Sequence, residues 1–227
     1  AVLEGAYKVS KTPANHNNDI GMPMAILGMS EDTEVAVLEM GMNHFREIAY
    51  LAGIAKPDVA VIINIGTMHI EHLGSIEGIR RAKLEILEGM AEEGQLILNG
   101  DDGMLSRLPE TPVQIVTYFG TGENCTVRAY DALQRGENLT FRVEAGPMAF
   151  SVELALEGLH FVPDALAAVT VALKLAVPSE RISESLATFR NMAGRQEILQ
   201  VNGVTIIKDC YNAGPESMAA ALGVLGQ

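Results

Sequence analysis

The sequence predicts an α/β fold: a mainly parallel sheet flanked by helices, with a small antiparallel β insertion. Four short apolar runs share one grammar, helical patterns follow three of them, and one alternating stretch interrupts the series. The runs are Val35-Ala36-Val37-Leu38, Val59-Ala60-Val61-Ile62-Ile63, Leu96-Ile97-Leu98 and Val204-Thr205-Ile206-Ile207. Each is nearly continuous in apolarity and rich in branched residues, the pattern of strands buried on both faces. Strand and helix in alternation form the unit of a parallel sheet.

In chain order, the spacing predicts a helix over 16–28, the first strand, and a helix over 44–54. The second strand follows, then a helix over 75–90 and the third strand. From 113 to 158 the texture changes. Stretches such as Leu139-Thr140-Phe141-Arg142-Val143-Glu144 and Ala149-Phe150-Ser151-Val152-Glu153-Leu154 alternate and are separated by Gly, Asn and Pro. That is the signature of antiparallel strands with one wet face. Helices are expected over 160–175, 179–190 and 215–225. The last strand, Glu197–Lys208 with a turn at Asn202-Gly203, and the helix after it are too little for a core of their own. They are expected to begin a further domain.

Composition narrows the function. The chain has 227 residues, 48% hydrophobic and 20% charged, which is globular and not disordered. No run of eighteen apolar residues exists, so no membrane insertion is expected. Ala1-Val2-Leu3-Glu4-Gly5 lacks the features of a signal peptide. The net charge is −13, without a basic tract, which argues against nucleic acid as the main partner. Cys125 and Cys210 lack metal-type spacing and read as reduced thiols of a cytoplasmic protein.

In parallel sheets, ligands bind beyond the carboxyl ends of the strands. Glu39, Asn64, Asn99 and Asp209 stand at those ends. Ser75 and Glu77 open the helix that carries Ile76, Ile79, Ile86 and Met90 on one stripe, and Lys83 falls on the same stripe. Spacing leaves two readings for it: a stem that snorkels to solvent, or a partly buried amine fit for anion binding or carbamylation. His69 sits in the loop leaving the second strand. With Glu39 on a neighbouring strand it could hold Mg²⁺, or it could be a solvated loop residue. His72 has no such support. Asn15-His16-Asn17-Asn18-Asp19-Ile20-Gly21 is either a turn with a helix cap or a polar loop that orients ligand oxygens. No G-x-x-x-x-G-K-[ST] run occurs, so the sequence offers no phosphate-cradling P-loop.

Six segments then stand in a telling order: ANHNNDIG (14–21), AVLEMGMNHFREIAYLAGIAKPDVAVIINIG (36–66), HIEHLGSIEGIRRAKLEILEGM (69–90), LILNGDD (96–102), AGRQE (193–197) and KDCYNAGPESM (208–218). Together they resemble the Mur ligase family. The E-M-G-x-N-H run and the D-C-Y-N-A-G-P run are similar to its D-alanyl-D-alanine-adding branch. The resemblance implies a P-loop NTPase-like central ATP-binding domain over 1–194, lacking its P-loop, and the start of the C-terminal ligase domain over 195–227. It implies a fragment, inactive alone, of an enzyme that joins D-alanyl-D-alanine to UDP-N-acetylmuramoyl-tripeptide at the expense of ATP, through an acyl phosphate, in peptidoglycan synthesis.

By the same resemblance, Glu39 and His69 are Mg²⁺ ligands, and Lys83 matches a lysine whose carbamate binds a second Mg²⁺. Asn15, Asn17 and Asn18 match an amide-rich loop that positions substrate. Arg195 reaches the nucleotide from the hinge, Asp209 holds ribose hydroxyls, and Asn212 lies near the phosphates. The family often shows H-N-x-x-N-A-L before a long helix; here the run is His160-Phe161-Val162-Pro163-Asp164-Ala165-Leu166. Asp164 can accept from an adenine amine but cannot donate to a ring nitrogen, and Phe161 is expected to pack on the base instead. Asn99-Gly100-Asp101-Asp102 is expected to hold a strand–helix turn. Two other readings remain at this point: a related amide ligase of the muramyl-peptide or folylpolyglutamate type, or, for the isolated chain, a non-catalytic nucleotide-fold module.

Overall fold

The structure, a computed structural model, describes residues 1–108 and 115–226. Its strands are β1 (Val9–Lys11), β2 (Val35–Val37), β3 (Val59–Ile62), β4 (Gln95–Asn99), β5 (Ile115–Gly120), β6 (Val127–Arg135), β7 (Asn138–Ala145), β8 (Met148–Leu154), β9 (Glu197–Val201) and β10 (Val204–Lys208). Its helices are α1 (Gly21–Leu27), α2 (Glu47–Ala55), α3 (Ile70–Leu73), α4 (Ile76–Leu84), α5 (Phe161–Lys174), α6 (Ser179–Ala187) and α7 (Pro215–Leu225), with a 3-10 turn over Glu85–Gly89.

A six-stranded sheet runs β3-β4-β5-β6-β7-β8. Its first four strands are parallel, and β6, β7 and β8 are antiparallel neighbours. The expected α/β class is thus present, with two differences in layout. The stretch over 113–158 is not wholly antiparallel: Ile115–Gly120 pairs in parallel with β4. Residues 113 and 114 lie outside the described residues. The antiparallel hairpins are also not a separate layer, because Phe119↔Val127 and Gly120↔Arg128 join them to the parallel part.

β4 shows why a continuous apolar run marks a central strand. Ile97 packs into a core with Phe119, Phe141, Val162 and Leu166 under α5 and α6. Leu96 and Leu98 point to the other face, into a core with Ala60, Ile62, Ile79, Ala82 and Leu105 under α4. All three side chains are fully buried. Alternate residues thus serve opposite faces.

The other runs depart from that expectation. Among the described residues β2 pairs with β1 alone, in a separate two-stranded parallel sheet, so it is not the neighbour of β3 that the sequence led one to expect, and Val37 is exposed. β1 is too short and too polar to stand out in the sequence. β10 is not part of a parallel sheet: it forms an antiparallel hairpin with β9 about Asn202 and Gly203 and is largely exposed. A hairpin needs only local pairing, and the Asn-Gly turn supplies it.

Helix positions follow the spacing; α7 has the expected bounds, and most of the others begin later or end earlier than expected. The segment over 16–28 becomes helical only at Gly21; before it, the Asn18 Oδ1 accepts the N–H groups of Ile20 and Gly21 and holds the chain in a turn. The segment over 75–90 is helical to Leu84 and then tightens to a 3-10 turn. Ser75 caps it as expected, accepting from Gly78 N–H at 3.0 Å. Ile76, expected on the core stripe, is exposed in the first turn.

Candidate functional site

The loops leaving β2 and β3, together with the loop before α1, surround a cleft of about 660 Å³ lined by Asn15, Asn17, Asn18, Tyr50, Arg46 and His69 among others. Glu39 follows β2 by two residues and joins this rim through Asn17, whose Nδ2 donates to its Oε1 at 2.7 Å. The Glu39 main-chain N–H donates to Thr12 Oγ1 at 2.8 Å. His69 stands just before α3 with a left-handed backbone, φ 65°. Three amides, a carboxylate and an imidazole therefore share one rim. Asn18 does both things its sequence context allowed, holding the turn that leads into α1 while lining the cleft.

Lys83 reaches from α4 to the loop that leaves β3, the loop that also carries His69. Its Nζ donates to the carbonyl oxygen of Asn64, two residues beyond β3, at 2.7 Å. The apolar stripe of α4 holds the stem, so burial pulls the ammonium below its usual value, while the Asp102 carboxylate opposes that shift. Asp102 also ties two loops together. Its Oδ2 accepts from Ile65 N–H at 2.7 Å, and its Oδ1 accepts from Met104 and Leu105 at 2.8 and 3.2 Å. Asn99-Gly100-Asp101-Asp102 holds a turn, but not the strand–helix turn expected, since no helix follows β4 among the described residues: Asn99 Oδ1 accepts from Asp101 N–H, and Asp101 accepts from Thr121 and Gly122.

A second group gathers at the start of α5. Arg195 stacks on Tyr211 at 3.9 Å from the ring centre. The His160 imidazole is drawn below its usual value by burial, and the side chain of Gln196 and the charge of Asp209 pull it back up. That coupling sets Asp209 near the helix start. Asp164, one turn into α5, is an exposed residue whose carboxyl end is nevertheless crowded, and desolvation pushes its pKa up. Phe161 packs against the core and the His160 ring, at 4.2 Å between centroids. Asn212 turns inward on its own loop, its Oδ1 accepting from Ala213 N–H at 2.9 Å.

Two contacts bearing on the site carry no sequence signal. Glu216 on α7 accepts from Thr67 in the loop beyond β3, which ties the C-terminal segment to the cleft side of the sheet. Buried Glu85 accepts from the main chain at the start of α2, and α2 forms one wall of the cleft. Both join residues tens of positions apart, which periodicity cannot pair.

Comparison with known proteins identifies the architecture. Residues 1–172 match the Mur ligase middle domain. UDP-N-acetylmuramoyl-tripeptide–D-alanyl-D-alanine ligase of Bacillus subtilis is 40% identical over 223 residues, 98% of this chain and 48% of its own length. The Escherichia coli protein of that name is 30% identical over 232 residues, 100% of this chain and 51% of its own. The chain thus spans about half the length of the curated relatives it matches. Among solved structures, MurF from Acinetobacter baumannii superposes with a TM-score of 0.93 at 35% identity, covering 100% of this chain and 50% of that one. MurF from Thermotoga maritima, solved in complex with ADP, gives 0.88 at 30% identity, covering 99% and 52%. The parallel sheet, its antiparallel extension and the loops at the strand ends are those of the Mur ligase middle domain, and the chain belongs to that family.

Proposed function

We propose that this chain is the ATP-binding central region of an amide ligase that joins D-alanyl-D-alanine to UDP-N-acetylmuramoyl-tripeptide in peptidoglycan synthesis. The observation that carries the reading is the 40% identity to a ligase of that name across 98% of the chain. On this reading residues 1–194 form the central domain and residues 195–227 begin the next one, which the separate β9–β10 hairpin supports. The two free cysteines suit a reducing cytoplasm.

Glu39 and His69 are the groups that would hold Mg²⁺. The donor chemistry fits: one hard carboxylate oxygen donor, bonded to Asn17 of the cleft, and one imidazole that lines the cleft. Such a sparse set suits a cation that keeps waters and leans on phosphate oxygens. Bound there, Mg²⁺ would offset the charge of the γ-phosphoryl group as it passes to the tripeptide carboxylate. Lys83 is half-buried on a stem that favours the neutral amine, the form able to take up CO₂ as a carbamate and so extend the metal site. Asn15, Asn17 and Asn18 line the cleft and would position substrate there. Arg195, Asp209, Asn212 and Asp164 would face the nucleotide from the α5 side, Asp164 accepting from the adenine amine.

The test is ligation by the full-length protein. ATP, UDP-N-acetylmuramoyl-tripeptide and D-alanyl-D-alanine should yield the pentapeptide product with one phosphate released per amide formed. Preference for a different amino donor or for a folate acceptor would overturn the substrate assignment.

A further inference from the structure

A carboxylate on a flexible stem binds a cation well only when its lone pairs are aimed, and Glu39 is an exposed side chain at a strand end. Its side chain has one hydrogen-bond partner among the described residues, Asn17, at 2.7 Å. An ionised carboxylate only accepts, so the amide must present its NH₂ end to Glu39. The bond occupies one lone pair on Oε1 and leaves Oε2 free.

Asn17 is itself held. Its N–H donates to the Asn15 carbonyl at 2.8 Å, and its own carbonyl accepts from Gly41 N–H at 2.8 Å. Its side-chain amide lies flat across Gly41, where a Cβ would come within 2.9 Å of both Cγ and Nδ2. Gly41 is only two residues beyond Glu39. The loop that carries the carboxylate thus grips the residue that orients it.

We propose that Asn17, seated on Gly41, is a positioning residue that aims the Glu39 carboxylate at the divalent cation. This rests on the reading of Glu39 as a metal ligand. It gives Asn17 a role apart from direct substrate contact, because a side-chain amide N–H is committed to Glu39. Partners that orient a ligand in this way matter for affinity nearly as much as the ligand itself.

The experiment uses the full-length ligase and measures Mn²⁺ binding by the loss of the free-ion paramagnetic resonance signal, with a non-hydrolysable ATP analogue present. Thermal midpoints and the Mg²⁺ dependence of turnover are measured beside it. Asn17→Ala should weaken Mn²⁺ roughly 10–100-fold with the thermal midpoint retained. Gly41→Ala, which keeps Asn17 but displaces its amide, should shift Mn²⁺ affinity in the same direction, and it carries the test should Asn17→Ala fold poorly. Glu39→Gln is the reference. If Glu39→Gln weakens Mn²⁺ and both other variants bind it normally, the positioning role is overturned and the ligand reading stands. If Glu39→Gln leaves Mn²⁺ binding unchanged, the ligand reading fails and the positioning role falls with it.

Discussion

Glu216 on α7 is bonded to Thr67 in the loop beyond β3: its Oε1 accepts from the Thr67 N–H at 3.1 Å and from the Thr67 hydroxyl at 2.8 Å. The contact puts an acidic side chain of the C-terminal segment on the loop that also carries His69. Gly214, two residues before it, packs against Met68, a Cβ there lying 3.3 Å from Met68 Cγ. The two segments therefore meet through one carboxylate and one close backbone approach.

The Glu216 contact should depend on pH. Its own main-chain N–H, and then the Thr67 hydroxyl, hold the carboxyl below its ordinary value of 4.5. A depressed acid stabilises the state in which it is ionised, so the contact is at full strength above 4.5 and is lost as pH falls through the lowered value. Protection of the Thr67 amide against hydrogen exchange, measured relative to the intrinsic rate at each pH, should fall over that acid window. Glu216→Ala should show the faster exchange already at neutral pH, by about fivefold at most, because the pair is exposed and worth no more than about 1 kcal/mol. Unchanged exchange in the variant would show that the loop is held by something else.

Lys83 should trade stability against activity. Burial lowers its pKa in the folded chain, so between that lowered value and 10.5 the unfolded chain binds the extra proton and stability rises with pH. Below the window the buried charge is a cost. Lys83→Met keeps the stem and removes the charge, and should raise the thermal midpoint at neutral pH. Turnover of the full-length ligase should fall roughly 100-fold or more, and added bicarbonate should not restore it. A variant with full activity would take Lys83 out of the chemistry.

Much of this site was legible because strand ends announce themselves. Glu39 and Asn64 do follow branched apolar runs, and Lys83 is a charge on an apolar stripe, but β2 pairs with β1 and not with β3, so Glu39 and His69 do not stand on neighbouring strands of one sheet as the runs suggested. Asp209 was found by the same rule for a partly mistaken reason, since β10 ends a hairpin and not a parallel strand. Chain periodicity reports burial and not pairing partners, so β5 could not be told from its antiparallel neighbours. Asn18 was legible as either turn or cleft residue, and one side chain serves both. Asp102, Thr67 and Glu85 act through bonds to distant main chain, and nothing in local spacing encodes those.

Glu85 supplies such a bond, and its loss should be felt throughout α2. Its carboxylate is 8% exposed and accepts from Arg46 N–H with both oxygens, at 2.9 and 2.8 Å, and from Ala49 N–H at 3.4 Å. Arg46 is the residue before the helix, with φ 74°, and no side chain of its own loop caps it. Glu85 thus caps a helix from another element. Glu85→Ala orphans the Arg46 N–H and should cost about 2 kcal/mol, a fall in thermal midpoint of roughly 4–8 °C in a domain of this size. Glu85→Gln keeps one acceptor and should lose about half as much. Equal midpoints for both variants would mean that packing, not the cap, is what Glu85 contributes.

Gly158 is where the start of α5 tolerates no side chain. Its φ is 124°, outside the range side-chain-bearing residues favour, and a Cβ would overlap the His160 ring and come within 3.1 Å of Val224 Cγ2. Its N–H donates to Gln134 Oε1 at 2.9 Å, and its carbonyl accepts from Phe161 N–H at 3.2 Å, so the backbone cannot shift without breaking the join between β6 and α5. Backbone strain and overpacking together should make Gly158→Ala cost about 3 kcal/mol, seen as a midpoint lower by roughly 6–12 °C. The two causes can be parted. Removing the ring in Gly158→Ala/His160→Ala relieves the collision but not the strain, so the double variant should be more stable than the two single losses added together. His160 also leaves a mark on pH dependence. Its lowered value means the unfolded chain takes up the proton first as pH drops below 6.5, so stability falls with pH there. Variants without the imidazole should lose that slope. Strict additivity in the double variant would place the whole cost of Gly158→Ala in its backbone conformation.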